Sequence, residues 1–128
     1  SSLLLLAAPA YSKSTVYILN DMGGSMGQYI RNIDHYLKSD TTIKFTGECA
    51  SACTMYLLIP DKCAGPDTMF AFHRAYGSTN SMNDYATLVM ASHWPSWVFD
   101  WLKPRGGLSD TVQWMPYSYI RLHMKECK

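Results

Sequence analysis

Ser51 lies between a strand-like run, residues 42–46 ended by Gly47, and a helix-like run, residues 52–59. Unpaired backbone N–H groups and the positive end of the dipole make a helix N-terminus favourable to an anion. Ala50 and Ala52 flank the serine, and both are small enough for a sharp strand-to-helix turn. A serine in this place is also an ordinary helix cap. Two further features point past that role: a double glycine in Asn20-Asp-Met-Gly-Gly-Ser25, and a histidine, His73, closing the run from Met69. Together they supply a hydroxyl nucleophile, a base and backbone donors, the parts needed for acyl transfer.

These segments do chemistry only if the fold brings them to one edge. Residues 15–20 are β-branched and aromatic and read as a buried strand. Gly23 and Gly24 make a turn, and Ser25 caps a helix in which Met26, Tyr29, Ile30, Ile33 and Leu37 recur as one apolar face. Residues 42–46 are the next strand and 52–59 the next helix, stopped by Pro60 and Asp61. Asp67 and Thr68 lead into strand 69–73. This β-α-β-α-β order implies parallel strands with right-handed helical crossovers. Sites in such a sheet form at the carboxyl ends of the strands. Gly23, Gly24, Ser51 and His73 should therefore converge.

Downstream, Ser81-x-x-Asp84 resembles a capping box ahead of a helix carrying Met82, Tyr85, Ala86, Val89 and Met90. Pro95 opens a short helix with Trp97, Val98, Trp101 and Leu102, ended by Gly106-Gly107. Residues 111–115 read as a last strand and 116–124 as a last helix. Trp97 and Trp101 read as core, and His35, His93 and His123 as surface. Arg74 reads as an exposed ion pair, with a substrate carboxylate as the alternative.

The 128 residues, 48% apolar and 16% charged, suffice for one folded domain. A formal charge of +1 supplies no basic patch and argues against nucleic acid. No stretch approaches the roughly 20 apolar residues of a membrane span. Residues 1–10, Ser-Ser-Leu-Leu-Leu-Leu-Ala-Ala-Pro-Ala, resemble a signal peptide's apolar core with an A-x-A cleavage site, which leaves 11–128 as the domain. A short buried strand or helix is the other reading of that segment. Four cysteines, Cys49, Cys53, Cys63 and Cys127, form an even set suited to disulfides in an exported protein. They allow three pairings, with Cys49–Cys63 disfavoured because a helix separates the two residues. A metal site is the weaker reading, since Cys49 and Cys53 are separated by three residues and no second ligand pair at zinc-finger spacing follows.

Tyr17-Ile-Leu-Asn-Asp-Met-Gly-Gly-Ser25, Gly47-Glu-Cys-Ala-Ser51-Ala and Phe70-Ala-Phe-His73 resemble three motifs of the Clp protease proteolytic subunit and its crotonase-like relatives. These are its strand and "PGGS" turn, its nucleophile segment and its histidine strand, with Met22 in place of the turn's proline. The Cys-Ala-Ser-Ala-Cys form, the Trp-rich helix, Gly106-Gly107-Leu108 and Cys127 are similar to an exported or phage-borne, largely uncharacterised branch. The resemblance implies an α/β crotonase-like parallel sheet with βα crossovers, abbreviated at its N-terminus. It implies Ser51 as nucleophile, His73 as general base, and an oxyanion hole from the N–H of Ala52 with that of Gly23 or Gly24. Asp110, six residues before Pro116, would orient His73, with Asp84 and Asp100 as competitors.

The function expected is serine hydrolysis of a peptide or other acyl bond by a periplasmic or secreted protein, with a homo-oligomer left open. Neither a metal nor an organic cofactor is implied. The rival is a non-catalytic scaffold or interaction module of the cell envelope. A crotonase-type thioester enzyme would need a coenzyme A site, for which no adenine or phosphate signature is present.

Overall fold

Ten residues, Thr41–Ala50, form the strand on which the rest is assembled. In a computed structural model, which describes residues 13–76 and 79–128, this strand is β2. The signal-like segment 1–10 lies outside the described residues. The order is β1 (Ser14–Asp21), α1 (Met26–Lys38), β2, a 3₁₀ helix (Ser51–Leu58), β3 (Lys62–Ala64) and β4 (Met69–Phe72). Then follow α2 (Asn80–Ala91), α3 (Ser96–Leu102), a 3₁₀ turn (Lys103–Arg105), β5 (Gln113–Met115) and α4 (Tyr117–Ile120).

The fold is mixed α/β with a mostly parallel sheet, as expected. β1 pairs in parallel with one edge of β2. The other edge takes β3 along residues 43–45 and β4 along residues 48–50, also in parallel. β5 closes the sheet antiparallel to β4. β3 was not foreseen.

Three expectations need correction. The strand expected over 42–46 does not stop at Gly47 but runs to Ala50, directly against Ser51. Gly47 adopts φ +73°, and the β1 register shifts between Leu19 and Asp21. The Asn20 amide oxygen accepts from the Glu48 N–H at 3.0 Å. A side chain on Gly47 would fall 2.1 Å from that oxygen. The glycine is thus a bulge inside the strand rather than its end. Second, β1 is not buried: Ile18 points into the core, while Tyr17 and Leu19 are 69% and 64% exposed. Only one face of this edge strand meets the core, so its apolar run alternates in burial. Third, α2 begins at Asn80, which places Ser81 inside the helix rather than at a cap.

In α1 only Tyr29 and Ile33 are buried, with Met26 and Tyr36 packed beside them. Ile30 and Leu37 stay largely exposed. The 3₁₀ helix is buried from Ala52 to Leu57 and packs against β2, β4, α1 and α2. Phe45, Phe70, Phe72 and Trp94 form a chain of ring contacts through the core, the end pairs edge-to-face at 5.1 and 4.9 Å. Trp101 is buried as expected.

The cysteines form two bridges, Cys49–Cys53 and Cys63–Cys127, which leave none free. The second ties the segment after α4 to β3, beside backbone bonds from Cys127 N–H to the Ala64 carbonyl and from Ala64 N–H to that of Lys125.

Candidate active site

Ser51 is the first residue of the 3₁₀ helix and has φ +58°. An L-residue in this left-handed region pays roughly 1–2 kcal/mol in steric cost. An N-cap has extended dihedrals, and that position belongs to Ala50, at φ −122° and ψ 152°. Ser51 therefore does not cap the helix. It makes the reversal between strand and helix, and its hydroxyl has no hydrogen-bond partner among the described residues. Its carbonyl is fixed from below: the Thr54 hydroxyl donates to it at 2.6 Å and accepts from Trp94 Nε1–H at 2.9 Å.

Gly23 packs against this turn. A Cβ there would lie 2.8 Å from both the Ala50 oxygen and Ser51 Cβ, and the residue has φ +92°. Only glycine fits such an approach. The Gly23 N–H is already engaged, donating to Asp21 Oδ1 at 2.9 Å. Tyr29 donates its hydroxyl to the same oxygen at 2.6 Å. Burial and that carboxylate raise the Tyr29 pKa well above the usual phenol range, so the ring remains a donor. The Gly24 N–H, by contrast, has no partner among the described residues. Ala52 N–H is an orphan by position, since the first donors of a helix lack intrahelical acceptors. Gly24 and Ala52 are therefore two open donors at this turn.

His73 follows the last residue of β4. Ala50 pairs with Ala71 across the parallel ladder, so Ser51 and His73 leave neighbouring strands at the same edge. The expected convergence of the glycine turn, the serine and the histidine is present at the level of topology. No hydrogen bond joins Ser51 to His73. His73 is 8% exposed, and Tyr76 stacks on it with ring centroids 5.3 Å apart. Its Nδ1 lies 2.6 Å from the Arg74 carbonyl oxygen. A carbonyl only accepts, so Nδ1 carries the proton and Nε2 is left as the acceptor.

Asp110 reaches the same edge but not the imidazole. Its carboxylate lies 3.7 Å from Arg74 Nη1. Asp84 pairs with the same guanidinium. Arg74 N–H donates to the Ser109 carbonyl at 2.9 Å. No carboxylate is bonded to His73 among the described residues, and Asp100 lies exposed on α3. Arg74 is therefore the ion-pairing residue that its sequence context suggested. The partner of Nδ1 is a backbone oxygen, which no side-chain motif could announce.

A cavity of about 540 Å³ opens over Ser51, lined by Gly24, Met26, Ile30, Tyr76, Tyr85 and Val89 among others. No charged side chain lines it among the described residues. Tyr76 was missed from sequence, although it stands three residues after His73. Exposed Ile30, read as part of the apolar face of its helix, also belongs to this wall. Among the described residues, no group of three or more His, Cys, Asp or Glu is placed to hold a metal ion. No helix among them is long and apolar enough to cross a membrane.

No family model matches the chain, and no curated protein matches it. Solved structures do. A ClpP1 point mutant from Listeria monocytogenes superposes with a TM-score of 0.58 at 16% sequence identity, over 86% of this chain and 70% of that one. The fold is Clp-protease-like. At this identity the likeness establishes architecture, and the chemistry rests on the residues described above.

Proposed function

We propose that this Clp-protease-like domain is a serine hydrolase acting on a peptide or another acyl bond. The observation that carries the reading is Ser51 at φ +58°, its hydroxyl unbonded and the residue lining an apolar cavity. In this mechanism His73 Nε2 takes the proton from Ser51 as the hydroxyl attacks the carbonyl. The N–H groups of Gly24 and Ala52 receive the oxyanion, while Gly23 provides the close approach that aligns them. The Arg74 carbonyl holds the imidazole tautomer. Asp110 acts on His73 through Arg74 rather than by direct contact. The Cys-Ala-Ser-Ala-Cys segment and two disulfides support export to the periplasm or outside, where such bridges persist. A homo-oligomer is part of the proposal through the likeness in fold alone.

The non-catalytic scaffold has one observation in its favour: Ser51 and His73 are not bonded, and His73 lies under Tyr76. Turnover separates the two readings. Wild type should hydrolyse members of a panel of fluorogenic peptides and activated esters, and Ser51→Ala should not. Equal rates from both proteins, or none from either, would favour the scaffold.

A further inference from the structure

We infer that the Cys49–Cys53 disulfide is the positioning device of Ser51 and that the nucleophile becomes competent only once this bond has formed. The inference rests on the hydrolase reading and deepens it by naming how the site is controlled. Five residues, with Ser51 at their centre, are closed into one covalent ring. An extended path from residue 49 to 53 would span about 13 Å, whereas the Cα atoms of the bridge lie 5.4 Å apart. The chain must turn back within that interval. Cys49 and Ala50 cannot supply the reversal, because the β4 ladder holds them extended opposite Phe70 and Ala71. Cys53 is the third residue of the buried 3₁₀ helix. The turn therefore falls on Ser51, the residue with φ +58°.

An L-serine released from the ring favours the extended or right-handed regions. Either would swing the hydroxyl away from the Gly24 and Ala52 donors. The Thr54 bond fixes the Ser51 carbonyl and Gly23 abuts the turn, but only the ring joins its two sides covalently. Both cysteines are buried, at 1% and 0% exposure, so a bond once made is shielded from reductants. The device is thus a lock set during oxidative folding, with activity withheld from chain that folds in a reducing compartment. In the setting step the two thiols become one disulfide. Their two electrons and two protons pass to a disulfide oxidant, which leaves as two thiols.

The test measures two things on wild type, Cys49→Ala/Cys53→Ala and Cys63→Ala/Cys127→Ala, each with its circular dichroism recorded. One is the rate of fluorophosphonate labelling at Ser51. The other is the Ser51 backbone conformation, from chemical shifts and the HN–Hα coupling. A misplacement of about 1 Å typically costs about 100-fold in rate. We expect a loss of that order in the Cys49/Cys53 variant, with Ser51 out of the left-handed region, and a wild-type rate in the Cys63/Cys127 variant. A Cys49/Cys53 variant that labels at the wild-type rate, or keeps Ser51 left-handed, overturns the lock and leaves the hydrolase standing. If wild type itself does not label, the hydrolase reading fails and the backbone measurement alone decides the lock. If the alanine pair does not fold, the Cys63→Ala/Cys127→Ala protein is refolded with and without glutathione disulfide. Labelling and a left-handed Ser51 should then appear only with the oxidant; their appearance without it overturns the lock.

Discussion

The bridge Cys63–Cys127 joins residues 64 positions apart and staples the segment after α4 onto β3, far from the reactive edge. Cys49–Cys53 spans four positions and encloses Ser51. Chain-entropy reasoning assigns about 4 kcal/mol to the long loop and about 2 kcal/mol to the short one. The long bridge chiefly restricts the unfolded chain, whereas the short one fixes a single backbone reversal. Stability and reactivity are thereby placed in different parts of the molecule and should be separable by mutation.

The largest expected effect lies on the stability side. Cys63→Ala/Cys127→Ala should lower unfolding free energy by about 4 kcal/mol in urea titration while leaving Ser51 reactive. Lost reactivity in a folded variant would dissolve the division between the two regions. Gly23→Ala comes next, and it acts on the site. The side chain meets Ala50 and Ser51 at 2.8 Å from a left-handed backbone, so a cost of about 3 kcal/mol is expected from overlap and dihedral strain together. Labelling of Ser51 should be lost with it. A stable, reactive Gly23→Ala protein would mean that the close approach does not align the turn.

Asp110→Asn sharpens the comparison within the site. Its carboxylate faces Arg74 and the imidazole is held by a backbone oxygen, so turnover should fall by no more than about tenfold, some 1.4 kcal/mol. A loss of about 10,000-fold would instead indicate that Asp110 orients His73 directly in the working state.

The smallest effect belongs to the stapled region. Asp61 accepts from the Thr42 hydroxyl at 2.6 Å and pairs with Lys13 at 3.0 Å, and these contacts hold its carboxyl below the ordinary value. A carboxyl lowered in the folded state contributes stability above the unfolded pKa of about 3.9, and that stability is lost as pH falls through the folded value. Being a surface arrangement, it is worth about 1 kcal/mol at most. Asp61→Asn should therefore be less stable than wild type at neutral pH, with the gap closing in acid. A gap that widened in acid would contradict the assignment.

The order of elements and the edge shared by Gly23, Gly24, Ser51 and His73 were legible because each rests on local pattern: an apolar run, a glycine pair, a strand-ending histidine. What stayed hidden depends on partners distant in sequence. Gly47 reads as a strand end until Asn20 is seen filling the space of its missing side chain. Residues 15–20 read as buried because an apolar run does not reveal that only one face of the strand meets the core. Asp110 was expected on His73 through resemblance. Arg74, drawing in both Asp84 and Asp110, is an ion-pair choice set by three-dimensional placement. The pairing of Cys49 with Cys53 was equally open, since the return of the chain at Ser51 is a backbone event.

The most direct measurement of the central claim is the intact mass and peptide map of the native protein after a fluorophosphonate probe, beside Ser51→Ala. The account predicts one adduct, located on Ser51 and absent from a Ser51→Ala protein with an unchanged circular dichroism spectrum. No adduct on native protein, or the same adduct in Ser51→Ala, would contradict it.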